Sequence, residues 1–168
     1  RESEEKHRIL FNNDLTVIYI FELETLRLLD VNHAFVRLYG YNREELLGGM
    51  RLLDISAEPE ESASSVRNAF EKNAIFIPLR WHRKKDGTVF PVEIVGGGYV
   101  WKGRRVMYGM AKDITERRQA EKTLIETLNQ LESRVQERTI ELEETNTALR
   151  VLLKKGAEDL KRLEESLQ

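Results

Sequence analysis

Every aromatic side chain of this 168-residue chain lies at or before Tyr108, every proline at or before Pro91, and beyond Gly109 the only glycine is Gly156. A sequence partitioned in this way is not one uniform fold. Its first two-thirds holds the bulky residues and turn formers of a globular core, and its last third holds almost none of either. The boundary falls near Asp113. From Leu124 the aliphatic residues recur in steps of four and three: Leu124, Leu128, Leu131, Val135, then Leu142 and Leu149. That spacing is a coiled-coil seam. Leu128, Val135, Leu142 and Leu149 fill one core position, whereas the other runs Leu124, Leu131, Arg138, Thr145 and turns polar. Such a seam is of modest stability and suits a helix that shifts between packings; an ordinary dimer core with Arg138 snorkelling out of it accounts for the same residues. Beyond Leu149 the phase changes, and Leu153, Leu160, Leu163 and Leu167 rejoin the seam only through a four-residue stutter. Gly156 lies there too and could end the helix after Lys155, although a continuous helix with a weak point is the reading preferred.

Composition narrows the function. Charged residues make up 33% of the chain, above the usual ~25%, as a long solvated helix requires. A net charge of −2 gives no footprint for nucleic acid or for an anionic membrane surface. With no cysteine, disulfides, thiolate metal sites and Cys nucleophiles are all removed, which fits a reducing, cytoplasmic setting. No apolar run approaches the ~20 residues of a bilayer span and no secretory leader is recognisable, while a start at Arg1 reads as a piece of a larger protein.

Within the first region, Glu2 to Arg8 reads as a short amphipathic helix capping the domain (residues 1–8). Leu15 to Phe21 is β-rich and apolar on both parities apart from Thr16, and Leu26 to Val31 is a second strand. Asn32 caps a helix over His33–Tyr39 that stops at Gly40, and Asn42 caps a short turn through Glu44, Glu45 and Leu46. An apolar stretch follows at Leu52 to Ile55, then a helix from Glu60 to Lys72 that buries Val66, Ala69 and Phe70. Ile75 to Arg83 runs into the hairpin signal Lys84-Lys85-Asp86-Gly87. Thr88 to Val95 alternates until Gly96-Gly97-Gly98 interrupts it, as a bulge or a close backbone approach would. Tyr99 to Trp101 resumes the strand, and Arg105 to Lys112 is the last. Two strands, several short helices and a three-strand meander make an α+β fold with an antiparallel sheet.

Certain pieces of the sequence, in this order and spacing, resemble the PAS superfamily over roughly Ile9 to Thr115. They are Asp30-Val31-Asn32-His33-Ala34-Phe35, Tyr39-Gly40-Tyr41 with Glu44-Glu45-Leu46-Leu47-Gly48, Arg83-Lys84-Lys85-Asp86-Gly87, and Gly109 to Arg117. The resemblance implies a five-stranded antiparallel sheet flanked by short helices over residues 9–115, with a cleft for a small ligand, followed by a coiled-coil signalling helix over 116–168. It also places at Asp113-Ile114-Thr115 the joint through which such domains signal to an output helix. Asp113 and Glu116 have the spacing of a capping box, and Thr115 adds a hydroxyl near that turn. An ordinary helix start explains these three residues equally.

The cofactors of related domains can be tested against the residues. Light-sensing flavin and cinnamoyl relatives need a cysteine, so a covalent adduct is excluded in its usual form. Haem-binding relatives use a histidine, typically on the long helix before the third strand, and Glu60–Lys72 has none. His7, His33 and His82 read as solvated or capping side chains, and no metal site is expected. What remains is an apolar cleft with Ile20, Phe35, Leu38, Tyr39, Leu53, Ile55, Val66, Phe70, Leu79, Trp81, Val92, Ile94, Tyr108 and Met110 as candidate walls, for a small organic ligand. The same residues would equally fill a packed core, and a wrong choice of strand parity would invert the strand half of the set. Arg80, His82, Arg83, Lys84 and Lys85 read as a solvated hairpin, and Trp81 and Trp101 as sheet-packing anchors. No Ser/His/Asp arrangement, phosphate loop or paired-acid motif presents itself, so no enzyme is expected.

The expected assembly is a homodimer through a parallel coiled coil, without direct contact to nucleic acid or membrane. The segment from Glu137-Arg138-Thr139 to Lys154-Lys155 resembles linkers of bacterial PAS regulators that precede a LuxR-type DNA-binding domain, and secondarily those before histidine kinase cores. A PAS domain serving only as a docking scaffold is the alternative.

Overall fold

The computed structural model describes residue 5, residues 9–12, 16–72 and 74–166. His7 and most of the expected helix over Glu2–Arg8 lie outside the described residues, as do Leu15 and Leu167. Two compact units divide at Arg117 and Arg118.

The first unit is built on one sheet, β1 (Val17–Glu22), β2 (Leu28–Val31), β3 (Ile75–Arg83), β4 (Val89–Trp101) and β5 (Arg104–Asp113). Its spatial order is β2-β1-β5-β4-β3, every neighbouring pair antiparallel. Between β2 and β3 come α1 (His33–Tyr39), α2 (Arg43–Leu47), a 3-10 turn (Leu52–Ile55) and α3 (Pro59–Lys72). The core contains Val31, Phe35, Tyr39, Leu46, Ile55 and Val92 at full burial. Phe35 stacks on Tyr39 with ring centroids 4.3 Å apart, and the edge of Tyr19 meets Phe35 at 5.7 Å.

Local chemistry explains the helix ends. Asn32 is fully buried, and its Oδ1 accepts from the Phe35 N–H at 3.0 Å, capping α1. The same oxygen accepts from the Ile18 N–H at 3.1 Å, while Nδ2 donates to the Thr16 carbonyl at 2.8 Å. One amide thus caps a helix and latches it to β1. Gly40 ends α1 at φ 77°, a conformation that costs glycine little. Asn42 and Glu45 close a capping box on α2, and Glu45 also pairs with Lys85 of the β3–β4 hairpin at 2.7 Å.

Two strand expectations need correction. The glycine run does not interrupt β4, which passes unbroken from Val89 to Trp101. A close backbone approach is what the glycines serve. Gly96 pairs with Gly109 across β4 and β5, and Gly109 pairs with Tyr19 across β5 and β1. A Cβ on Gly96 would stand 2.3 Å from the Tyr108 carbonyl oxygen, and one on Gly109 would stand 2.4 Å from the Tyr19 ring.

The second correction concerns parity. Val17, Tyr19 and Phe21 are the buried residues of β1, and Met107, Gly109 and Ala111 alternate inward on β5. Ile20, Tyr108 and Met110 therefore lie on the outer parity. In β3 the register shifts between Ile77 and Arg80, around Pro78, where a proline is tolerated because a bulge needs no ladder N–H. The shift reverses the phase, turning Arg80 and His82 inward and Leu79 and Trp81 outward. The hairpin is thus not wholly solvated. Trp101 is half exposed, with the Lys102 Nζ 4.6 Å from its ring centroid, so it is not a buried anchor.

The second unit belongs to α4 (Thr115–Ser166), a 52-residue helix with no buried residue. It runs through Gly156 without a break, as the preferred reading of the sequence has it, and the alternative stop after Lys155 is not seen. None of the helices among the described residues is long and apolar enough to cross a membrane.

Candidate functional site

Between the inner face of the sheet and the helices lies a cavity of about 40 Å3. The two glycines of the row Tyr19–Gly109–Gly96–Ile75 put no side chain on this face, and Tyr19, Gly109 and Ile75 all line the cavity. Phe21, Met107, Ile77 and Ile94 continue the sheet wall, while Leu52 and Val66 close it from the helical side. The polar lining comes from Ser56, Ser62, Ser65, Arg80 and His82. A single water fills about 10–15 Å3 on this measure, so the space takes roughly three.

Of the fourteen wall residues expected from sequence, Val66 and Ile94 line this cavity, and Tyr108 borders it although its side chain has the outer parity of β5. Phe35, Tyr39, Ile55 and Val92 are fully buried core residues outside its lining, and Leu38 and Phe70 pack partly buried against that core. Leu38 faces a separate open groove with Val17, Ala34 and Ala111. Leu53 is half-buried beside Leu52, which is the buried partner. Ile20, Leu79, Trp81 and Met110 are carried away by their strand parity. Sequence reasoning missed Tyr19, Met107, the three serines, Arg80 and His82. The inward course of Arg80 was recoverable only by recognising Pro78 as a bulge.

His82 is not a solvated histidine. It is 2% exposed, and its Nδ1 shares a hydrogen bond with the Tyr39 hydroxyl. Burial, and secondarily the nearby Arg80 charge, push its pKa down to about 4, so the ring is neutral near pH 7. Burial also holds the Tyr39 phenol well above its ordinary value. His33 is the exposed first residue of α1.

Ser56 and Ser62 hydroxyls meet at 2.8 Å. The Arg80 Nη2 donates to Ser65 Oγ at 2.9 Å, and its Nη1 stands 3.7 Å from Glu58 Oε2. No group of three or more His, Cys, Asp or Glu suited to a metal occurs among the described residues.

The turn from β5 into the first residues of α4, all within the first unit, is held at several points. Asp113 Oδ1 accepts from the Thr115 N–H at 2.9 Å and from its hydroxyl at 2.6 Å. The carboxylate thus serves Thr115 two residues on, an Asx turn, and not a box closed with Glu116. Glu116 sits in the first turn of α4, where a negative charge opposes the helix dipole. Ile114, assigned no role of its own within that joint from the sequence, is buried, and its N–H donates to the Pro91 carbonyl at 3.1 Å. Arg117 reaches back to Glu93 of β4 at 3.2 Å. The six seam residues Leu124, Leu128, Leu131, Val135, Leu142 and Leu149 are all exposed, between 49% and 59%.

Comparison with known proteins places this geometry. A family model described as a PAS domain matches residues 16–116. The chain is 33% identical over 128 residues to the methyl sulfide methyltransferase-associated sensor of Methanosarcina acetivorans, covering 72% of this chain and 12% of that relative's length. Among solved structures, a PAS domain from a two-component sensor histidine kinase superposes with a TM-score of 0.59 at 24% identity, covering 67% of this chain and 96% of that one. The PAS domain of an HTR-like protein from Haloarcula marismortui gives 0.60 at 18% identity, covering 67% and 93%. The chain belongs to the PAS-domain family, whose members are sensory and signal-transduction modules.

Proposed function

We propose that this domain is the input of a cytoplasmic signalling protein, a non-catalytic module that passes the state of its core cavity through β5 and the Ile114 joint to a parallel homodimer of α4. The observation that carries this reading is the row of exposed aliphatic residues along 52 residues of helix. Exposures near 50–60% leave these leucines as open as a lone helix allows, and burying each contributes about 1.5–3 kcal/mol. Counted in unbroken heptads, Leu152 and Leu163 also fall on the seam, with Gly156 and Asp159 at the core positions between them. The output domain lies outside this chain; the Glu137–Lys155 linker favours a LuxR-type DNA-binding domain, with a histidine kinase core as the next reading.

The test is sedimentation of the whole chain and of the double variant Leu128→Asp, Leu142→Asp. The double change removes four apolar side chains from a dimer seam, about 6–12 kcal/mol in total, enough to raise the dissociation constant at least about ten-thousandfold. A dimeric parent and a monomeric, still-folded variant are expected; a monomeric parent at high concentration refutes the reading.

A second reading, a docking scaffold without ligand, is favoured by one observation. Phe76, Val95, Tyr99 and Trp101 leave exposed apolar side chains on the outer face of the sheet. Helix packing that never changes with cavity occupancy would decide for it.

A further inference from the structure

The phase change in β3 carries a guanidinium into the core. The Arg80 side chain is 11% exposed and lines the cavity. A guanidinium has five N–H donors and stays charged at every relevant pH. Here Nη2 donates to Ser65, while Nε is buried with no partner among the described residues. Among the described residues its anionic partner is Glu58, an ion pair at 3.7 Å whose carboxylate side chain is 36% exposed. Glu58 Oε2 already accepts from the Trp81 N–H at 3.1 Å. The Glu58 carboxylate, also bound to the Trp81 N–H, offsets part of the charge, and the Nε donor remains buried and unused.

Three hydroxyls, Ser56, Ser62 and Ser65, share the cavity with Arg80, and the opposite walls are aliphatic. We propose that the cavity binds a small monocarboxylate with a short apolar tail, its carboxylate on Arg80 and the serine hydroxyls, its tail against Val66, Ile77 and Ile94. This rests on the sensor reading above and names its ligand class. Charge-assisted bonds to a guanidinium are the strong kind, and a carboxylate presents two acceptors where a neutral amide presents one oxygen. The volume sets the size: about three water-sized units suit acetate or propionate, not a long chain. His82, neutral near pH 7, adds no second positive charge, and with Glu58 already beside Arg80 the site has no room for a dianion.

The experiment is a titration of the 15N-labelled whole chain with sodium propionate, propionamide and sodium chloride, followed in 1H–15N spectra. Propionate should shift the Arg80 Nε–H signal and the amides of Ser56, Ser62 and Ser65 saturably, whereas propionamide and chloride should not. Arg80→Gln should weaken binding at least about tenfold. Ser65→Ala, which removes one hydroxyl from a half-buried position, should weaken it several-fold in a chain that keeps its spectrum. No response to propionate, an equal response to propionamide, or unchanged binding in both variants overturns the proposal. Any of those results leaves dimerisation through α4 standing on sedimentation alone. Propionate binding to a monomeric chain would keep the carboxylate site and remove the relay.

Discussion

Lowering the pH should destabilise this domain through one buried ring, His82. In the folded chain the imidazole sits beside Arg80 and under Tyr39, and burial first, then the Arg80 charge, bring its pKa from 6.5 to about 4. In the unfolded chain the same ring takes up its proton near 6.5. Between those values the unfolded state binds the extra proton, so stability falls as the pH falls through the window and levels off below about 4. At about 1.4 kcal/mol for each pH unit of difference, the loss amounts to roughly 3 kcal/mol. That is a large share of the 5–15 kcal/mol that holds a typical domain folded. Carboxylates titrate in the same range, so the assay is a comparison. Urea unfolding of the parent and of His82→Gln would be followed from pH 7 to pH 4 by the fluorescence of Trp81 and Trp101, both of which report on the sheet. The variant should start less stable, because Tyr39 loses its partner, yet decline less steeply. The two stability curves should converge by roughly the predicted amount. Curves that stay parallel across the window would refute a neutral, buried His82.

Two further changes probe the scaffold around the cavity. Asn32→Ala deletes three hydrogen bonds from a fully buried amide and leaves the Ile18 and Phe35 N–H groups unpaired; the expected loss is about 2–4 kcal/mol in chemical denaturation, and a loss below about 1 would contradict the latch. Gly109→Ala drives a methyl to 2.4 Å from the buried Tyr19 ring; it should cost about 1–3 kcal/mol and fill part of the cavity, measured by the same unfolding curves, and a neutral effect would show that Tyr19 moves freely.

The elements legible in the sequence are those fixed by local chemistry. Asn32 and Gly40 bound α1 at His33–Tyr39, and β3 occupies Ile75–Arg83, both as the sequence predicts, because caps and turn residues act on their own neighbours. The Asp86-Gly87 turn is of the same kind, with Gly87 at φ 90°. Parity was another matter. β1 is apolar on both parities, so nothing within it says that Tyr19 and not Ile20 faces the core. Only its register against Gly109 does. In β3 strict alternation failed because the bulge at Pro78 reverses the phase, sending a leucine and a tryptophan outward and an arginine and a histidine inward. The polar half of the cavity was therefore invisible to a search for apolar walls. The joint was half legible: Asp113 and Thr115 stand out by type, whereas Ile114 and the Arg117–Glu93 pair depend on where β4 lies.

The proposed relay depends on the pairing of α4 with a second copy in parallel. Since the chain has no cysteine, Lys122→Cys gives a single site for a spin label on an exposed position of α4. Parallel helices set about 8–10 Å apart hold the two labels close together. A fully overlapped antiparallel pair would separate them by about 55 Å along the axis. Pulsed dipolar spectroscopy should return a single short distance; a distribution near the long value would contradict the parallel arrangement, and no intermolecular coupling would contradict the dimer itself.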